Sequence, residues 1–230
     1  MSPFKTLIRL VVSLSAIVSP LSIVSAQTPA SGHLLVLLRD ASALAIVDPE
    51  SRTVLGRVPT GRDPHEVTAS ADGRHAFVTS MVDGISVIDI AARTEIRRVN
   101  PGPGSRPHDV LFADGKVYFT IEGYKSIGRY DPSTNEIDWT LGIGQNGTHL
   151  LVLDQGANTM FMPNTRSNTV TMIESIMAGP SQSRLTVIPV PGKLPEGIDL
   201  SSAVTVTGDP GDVAVFGPYT LHGSRPNTST

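Results

Sequence analysis

A unit of about 42 residues recurs along this 230-residue chain, and no other feature restricts its fold so tightly. Asp48, Asp89 and Asp131 each close an apolar run, at spacings of 41 and 42. Asp72-Gly73, Asp114-Gly115 and the degenerate Asp154-Gln155-Gly156 recur at 42 and 40, and His65, His108 and His149 at 43 and 41. Three independent markers on one period, with several short strands per unit, point to an all-β chain of the β-propeller kind.

One whole unit reads as four strands: His65 to Ser70, His75 to Ser80, Ile85 to Ile90 and the more polar Thr94 to Val99. Apolar side chains alternate with small or polar ones, and Asp-Gly turns punctuate the runs, because glycine accepts φ > 0 without a steric cost. The second unit reads His108 to Ala113, Val117 to Ile121, Ser126 to Tyr130 and Glu136 to Leu141. The third reads His149 to Leu153, Met160 to Asn164, Thr169 to Ile173 and Leu185 to Val190. Leu34 to Leu38, Ala43 to Val47 and Thr53 to Val58 form a unit lacking its first strand, and Pro195 to Leu200 reads as a strand of that missing kind. The expectation is a propeller of about four blades, three complete and one split or truncated. Two arrangements are open: a short ring closed by both chain ends, which removes exposed sheet edges, or a fragment of a larger ring.

The first 26 residues read as a secretory signal peptide. Lys5 and Arg9 precede an apolar run from Leu10 to Ile23, and Val24-Ser25-Ala26 offers small residues for cleavage. An uncleaved tether is the alternative; no later run is apolar enough to span a bilayer, so no stable membrane insertion is expected after cleavage. Export to the periplasm or the exterior follows. The leader carries two basic and no acidic residues, so its removal changes the formal charge from −3 to −5, which argues against a nucleic-acid partner. Cysteine is absent, which excludes disulfides, thiolate metal sites and a cysteine nucleophile. Sequons stand at Asn146-Gly147-Thr148 and Asn227-Thr228-Ser229.

Arg62-Asp63-Pro64-His65-Glu66-Val67, Ser70-Ala71-Asp72-Gly73-Arg74, Phe77-Val78-Thr79-Ser80 and Ile85-Ser86-Val87-Ile88-Asp89 resemble the YVTN-type β-propeller repeat family over about residues 33–200. That resemblance implies a secreted or periplasmic propeller, often of about seven blades, and no single activity. After Leu200 the pattern breaks. Pro210-Gly211-Asp212-Val213, then Leu221-His222-Gly223-Ser224 and Pro226-Asn227-Thr228-Ser229, make the divergent, β-rich tail 201–230 resemble the distal-histidine motif of the phytanoyl-CoA dioxygenase family. Those are non-haem iron enzymes that use 2-oxoglutarate, and His222 matches their distal ligand. A 2-His-1-carboxylate site needs three ligands on one face of the metal. No His-x-Asp or His-x-Glu precedes His222, so Fe(II) and 2-oxoglutarate are expected only where the tail belongs to an intact dioxygenase. Two further readings are open: a fused fragment, inactive in this chain, or two more ordinary strands.

His65, His108 and His149 begin equivalent first strands, which line the channel of a propeller. They converge on a divalent metal, or each makes a rim contact that repeats because the blade repeats; both readings stand. Glu66, Asp109 and Glu196 lie near the same rim and add acidic ligands for an ion or a cationic group. In a regular strand His65-Glu66 and His108-Asp109 point to opposite faces. Lys125, Arg129 and Arg166 read as solvated loop charges, Trp139 and Tyr130 as inter-blade filling, and Asp48, Asp89 and Asp131 as turn acceptors. Ser70, Ser80 and Ser105 lack a nucleophile-elbow context, and there is no phosphate-binding loop or dinucleotide fingerprint. The expected function is a binding or scaffold module for a small molecule or protein at the histidine-lined rim. The alternative is a lactonase-type enzyme or metal-dependent oxidoreductase at that rim.

Overall fold

Left-handed residues set the strand lengths. In the computed structural model, which describes residues 32–154, 156 and 158–190, a residue of positive φ recurs at equivalent loop positions. Ser42, Gly84, Lys125 and Asn168 (φ 48°, 94°, 50° and 52°) mark one hairpin, and Arg52, Arg93, Asn135 and Ser175 (57°, 55°, 63° and 57°) another. Asp63, Arg106 and Gly147 (55°, 52° and 65°) mark the entry to each first strand. Positive φ reverses the chain tightly and is sterically costly for other L-residues, so the sequence period is the period of these turns. At Gly84 the position also demands glycine, because a Cβ there would lie 2.3 Å from the Val99 carbonyl oxygen. The leader 1–26, Pro195 to Leu200 with Glu196, and the tail 201–230 with His222 lie outside the described residues.

Among the described residues four antiparallel meanders result. Sheet A has three strands, β1 (Leu34–Leu38), β2 (Ala43–Asp48) and β3 (Thr53–Pro59). Sheet B has β4 (Pro64–Ala69), β5 (His75–Ser80), β6 (Gly84–Asp89) and β7 (Thr94–Val99). Sheet C has β8 (Pro107–Ala113), β9 (Lys116–Ile121), β10 (Ser126–Asp131) and β11 (Glu136–Gly142). Sheet D has β12 (Val152–Asp154), β13 (Thr159–Asn164), β14 (Thr169–Glu174) and β15 (Arg184–Pro189). The long connection expected after Glu174 contains a short 3-10 turn, Ile176–Ala178. Among the described residues no helix is long and apolar enough to cross a membrane.

The chain divides between Pro103 and Gly104 into two compact units. In the first, Leu44, Ile46 and Val58 of sheet A pack with Ala76, Val78 and Ile88 of sheet B. In the second, Tyr118 and Ile127 of sheet C pack with Met160, Met162 and Ile173 of sheet D. Side chains of this size contribute roughly 1.5–3 kcal/mol each on full burial, so sheet-on-sheet packing is the main source of stability within each unit.

The turn aspartates behave as the sequence suggests. Asp48 accepts from the Glu50 N–H at 2.9 Å, Asp89 from the Ala92 N–H at 2.8 Å and Asp131 from the Ser133 N–H at 2.8 Å. Lys116 adds an ion pair to Asp131. Arg129 departs from its expected role. It lies in β10, pairs with Asp138 at 2.7 Å, stands 5.3 Å over the Trp139 ring and donates to the Met177 carbonyl at 3.3 Å. The register slips between Arg129 and Tyr130, leaving Asp138 out of the ladder and in reach of the guanidinium.

Arg62 and Asp83 tie the loop before β4 to the β5–β6 hairpin, with contacts of 2.7 and 3.0 Å from the guanidinium and 2.7 Å from the Arg62 N–H. The Arg62 side chain, its N–H, and to a smaller extent its charge, bring the Asp83 pKa from 3.8 to about 2. A depressed carboxylate stabilises the fold above its unfolded pKa, and that contribution is lost as pH falls through the folded value. Asp83→Asn is therefore expected to lower Tm at pH 7, with the gap to the parent closing between about pH 4 and about pH 2. Thermal melts across that range check this; a gap of constant size would count against it.

Candidate functional site

Each first strand carries one residue more than its neighbour can pair. The pairing of β4 steps from Pro64–Ser80 to Val67–Val78, and that of β8 from Pro107–Ile121 to Val110–Phe119. The extra residue falls at His65-Glu66 and at His108-Asp109. In sheet D the bridge Thr148–Asn164 precedes Val152–Phe161, so the same slip falls between His149 and Leu151. The strand expected from His149 is therefore shorter, β12 alone, with the His149 N–H donating to the Pro163 carbonyl at 3.1 Å. A bulge interrupts regular alternation and re-aims side chains, so the opposite-face rule does not hold for these His–acid pairs.

Buried threonines absorb the displaced amides. The Thr79 hydroxyl accepts from the Glu66 N–H at 3.1 Å and contacts the Glu66 carbonyl at 3.3 Å. The Thr120 hydroxyl accepts from the Asp109 N–H at 2.9 Å and donates to the His149 carbonyl at 3.1 Å. Thr120 thereby joins sheets C and D at the bulge. Sequence reasoning passed over both threonines, although their spacing of 41 residues was available.

In the second unit the bulges bring His108 and His149 together. Their ring centroids lie 3.9 Å apart at an interplanar angle of 54°. His108 is buried, His149 is half-buried, and the His149 Nδ1 is buried without a hydrogen-bond partner. Asp109 stands beside them and accepts from the Val110 N–H at 2.8 Å and the Leu151 N–H at 2.5 Å. Burial raises the Asp109 pKa, offset in part by those two N–H groups and by attraction to His149. Asp109 is thus a cross-sheet strut as well as an acid beside an imidazole.

In the first unit the equivalent His65 lies 3.6 Å from the Asp63 carboxylate, which Arg39 of the β1–β2 hairpin contacts at 2.5 Å. The Arg39 hydrogen bond is the main reason that the Asp63 pKa is lowered. Arg39 and Asp63 were not among the sequence candidates; the position of Asp63, two residues before a marker histidine, was the available signal. Glu66 lies in the same bulge. Among the described residues no group of three or more His, Asp or Glu side chains could hold a metal ion.

Comparison with known proteins agrees with the architecture. The Cytochrome D1 heme domain family model matches residues 31–137, and the Phytanoyl-CoA dioxygenase model matches residues 154–230. No curated protein matches. Hydrazine synthase of Kuenenia stuttgartiensis superposes with a TM-score of 0.58 at 19% identity, over 67% of this chain and 46% of that one. Virginiamycin B lyase of Staphylococcus aureus gives 0.59 at 15%, over 70% and 53%. The dihydro-heme d1 dehydrogenase NirN, in complex with DHE, gives 0.56 at 12%, over 69% and 35%. The fold is a β-propeller. At these identities the likeness concerns architecture alone, and the chain spans about half of the length of the first two structures. The dioxygenase match overlaps sheet D, and its residues 154–230 contain one histidine, His222, so that segment cannot by itself supply a 2-His-1-carboxylate iron site.

The Leu151 N–H has its hydrogen-bond partner in Asp109. Asp109→Ala is expected to cost about 1–3 kcal/mol by stranding that buried donor, and Asp109→Asn, which keeps one carbonyl oxygen, less. Urea denaturation of the two variants checks the order; equal stability of Asp109→Ala and parent would contradict it.

Proposed function

We propose that this chain is an exported β-propeller binding module whose ligand site is the His108–His149 pair, backed by Asp109. The observation that carries the reading is the juxtaposition of two imidazoles at 3.9 Å, one with an unsatisfied buried nitrogen. Neutral imidazole is a common metal ligand. Two such donors, which with Asp109 form no three-ligand group able to hold an ion among the described residues, suit a metal that arrives already chelated better than a bare divalent ion. A haem-class ligand meets that condition, since its macrocycle supplies the other donors and its metal supplies redox chemistry when bound. The heme-domain match, which spans His65 and His108, supports the same class. In this reading His108 or His149 would hold the group through its metal, Asp109 and Thr120 hold the two bulges in register, and the leader 1–26 directs export.

Oxidoreductase activity at the same rim is the second reading, favoured by the Asp109 carboxyl, whose pKa burial raises, standing beside His149. Oxygenation through His222 has no support from the donors present, and the tail is read as a dioxygenase-like fragment.

Ferric protoporphyrin IX titrated into the purified chain is the probe. Saturable binding with a shifted Soret band is expected, lost in the double variant His108→Ala/His149→Ala and kept in His65→Ala. No binding, or binding indifferent to the double substitution, would refute the site.

A further inference from the structure

The repeat also shows which sheet faces are built to be covered. In sheet C the side chains of Leu111, Tyr118, Ile127, Trp139 and Leu141 share one face and pack on sheet D. Register assigns their counterparts in sheet D: Val152 opposite Phe161, Phe161 opposite Met172, and Val170 opposite Ile188. These alternate with Leu153, Met160, Ile173 and Leu185, which already pack on sheet C. The second face is nonetheless open among the described residues: Val152 is 63% and Ile188 40% exposed.

Sheet A has the complementary face. Sheet B turns Ala76, Val78 and Ile88 toward sheet A, and register places Leu34, Val36 and Val47 at the equivalent positions of sheet A itself. They alternate with Leu35, Leu37 and Ile46, which pack on sheet B. Leu34 is 40% exposed, and Val36 and Val47 are half-buried.

We propose that a second copy of this chain covers the open face of sheet D with the back face of its own sheet A. The argument is one of equivalence. The same front-to-back packing already occurs twice within the chain, A on B and C on D, and each partner face is apolar at the matching positions. An apolar sheet face that is exposed at both edges, Val152 and Ile188, and half-buried between them marks an interaction site, and the surface best fitted to it is another sheet of the same repeat. The contact is head-to-tail, since two different faces meet.

Sedimentation velocity of the purified full chain over a wide concentration range tests this. A dimer that dissociates on dilution is expected. Ile188→Glu and Leu34→Glu, at exposed positions, are each expected to weaken it by about tenfold or more. Mixing the two variants should recover part of the dimer, because one contact then contains neither substitution. A parent monomeric at every concentration, its face covered by its own chain, would overturn the proposal. So would a dimer indifferent to both substitutions, or a mixture that stays monomeric. The parent dilution series decides the matter even where a variant fails to fold.

Discussion

A threonine hydroxyl under a strand bulge is the interaction on which the rest of this structure depends. Each first strand is one residue too long for its partner, and an unpaired buried amide costs about 1–3 kcal/mol. Thr79 and Thr120 supply the missing acceptor from the next strand. With that amide satisfied, the strand can carry a histidine and an acid at a kink instead of in a regular pleat. Thr120 goes further and reaches the carbonyl of His149 in the adjacent sheet. Asp109 makes the second cross-sheet bond, to Leu151. The imidazole pair is therefore the outcome of backbone accounting at two successive bulges.

Much of the architecture was legible in the sequence because its period is that of the turns. The runs Leu34–Leu38, His75–Ser80 and Thr94–Val99 are strands between the limits that alternation and turn residues suggest. Left-handed positions such as Asn135 and Asn168 hold those limits in place. What was not legible follows from the bulges. One extra residue in a strand leaves the 42-residue period untouched, so the spacing of the histidines gives no warning that alternation fails beside them. Arg129 read as a solvated charge because its partner, Asp138, is set free only by a second register slip on the outer strand. Arg39 and Asp63 escaped notice for a similar reason: 24 residues separate them, and only the packing of sheet A on sheet B joins them.

The histidine markers were found from spacing, yet spacing could not say what each touches. His108 and His149 meet as a tilted ring pair, whereas His65 is paired with an aspartate that has an arginine behind it. One repeat position thus has two chemistries, set by the residue two places earlier: Asp63 in one unit, Arg106 in the next. Arg106 turns instead toward Glu122 at 3.8 Å. Repetition fixes where a side chain sits, and the flanking loop decides what it can bind.

Residue-resolved hydrogen exchange at the bulges is the most direct test. Anchored bulges predict that the Glu66 and Asp109 amides exchange as slowly as those of Thr68 and Leu111, which face the partner strand in the adjoining ladder, and that Thr120→Val releases Asp109 selectively. Exchange at Glu66 and Asp109 as fast as in the exposed Asp72-Gly73 and Asp114-Gly115 turns would contradict the hydroxyl anchor, and with it the origin of the histidine pair.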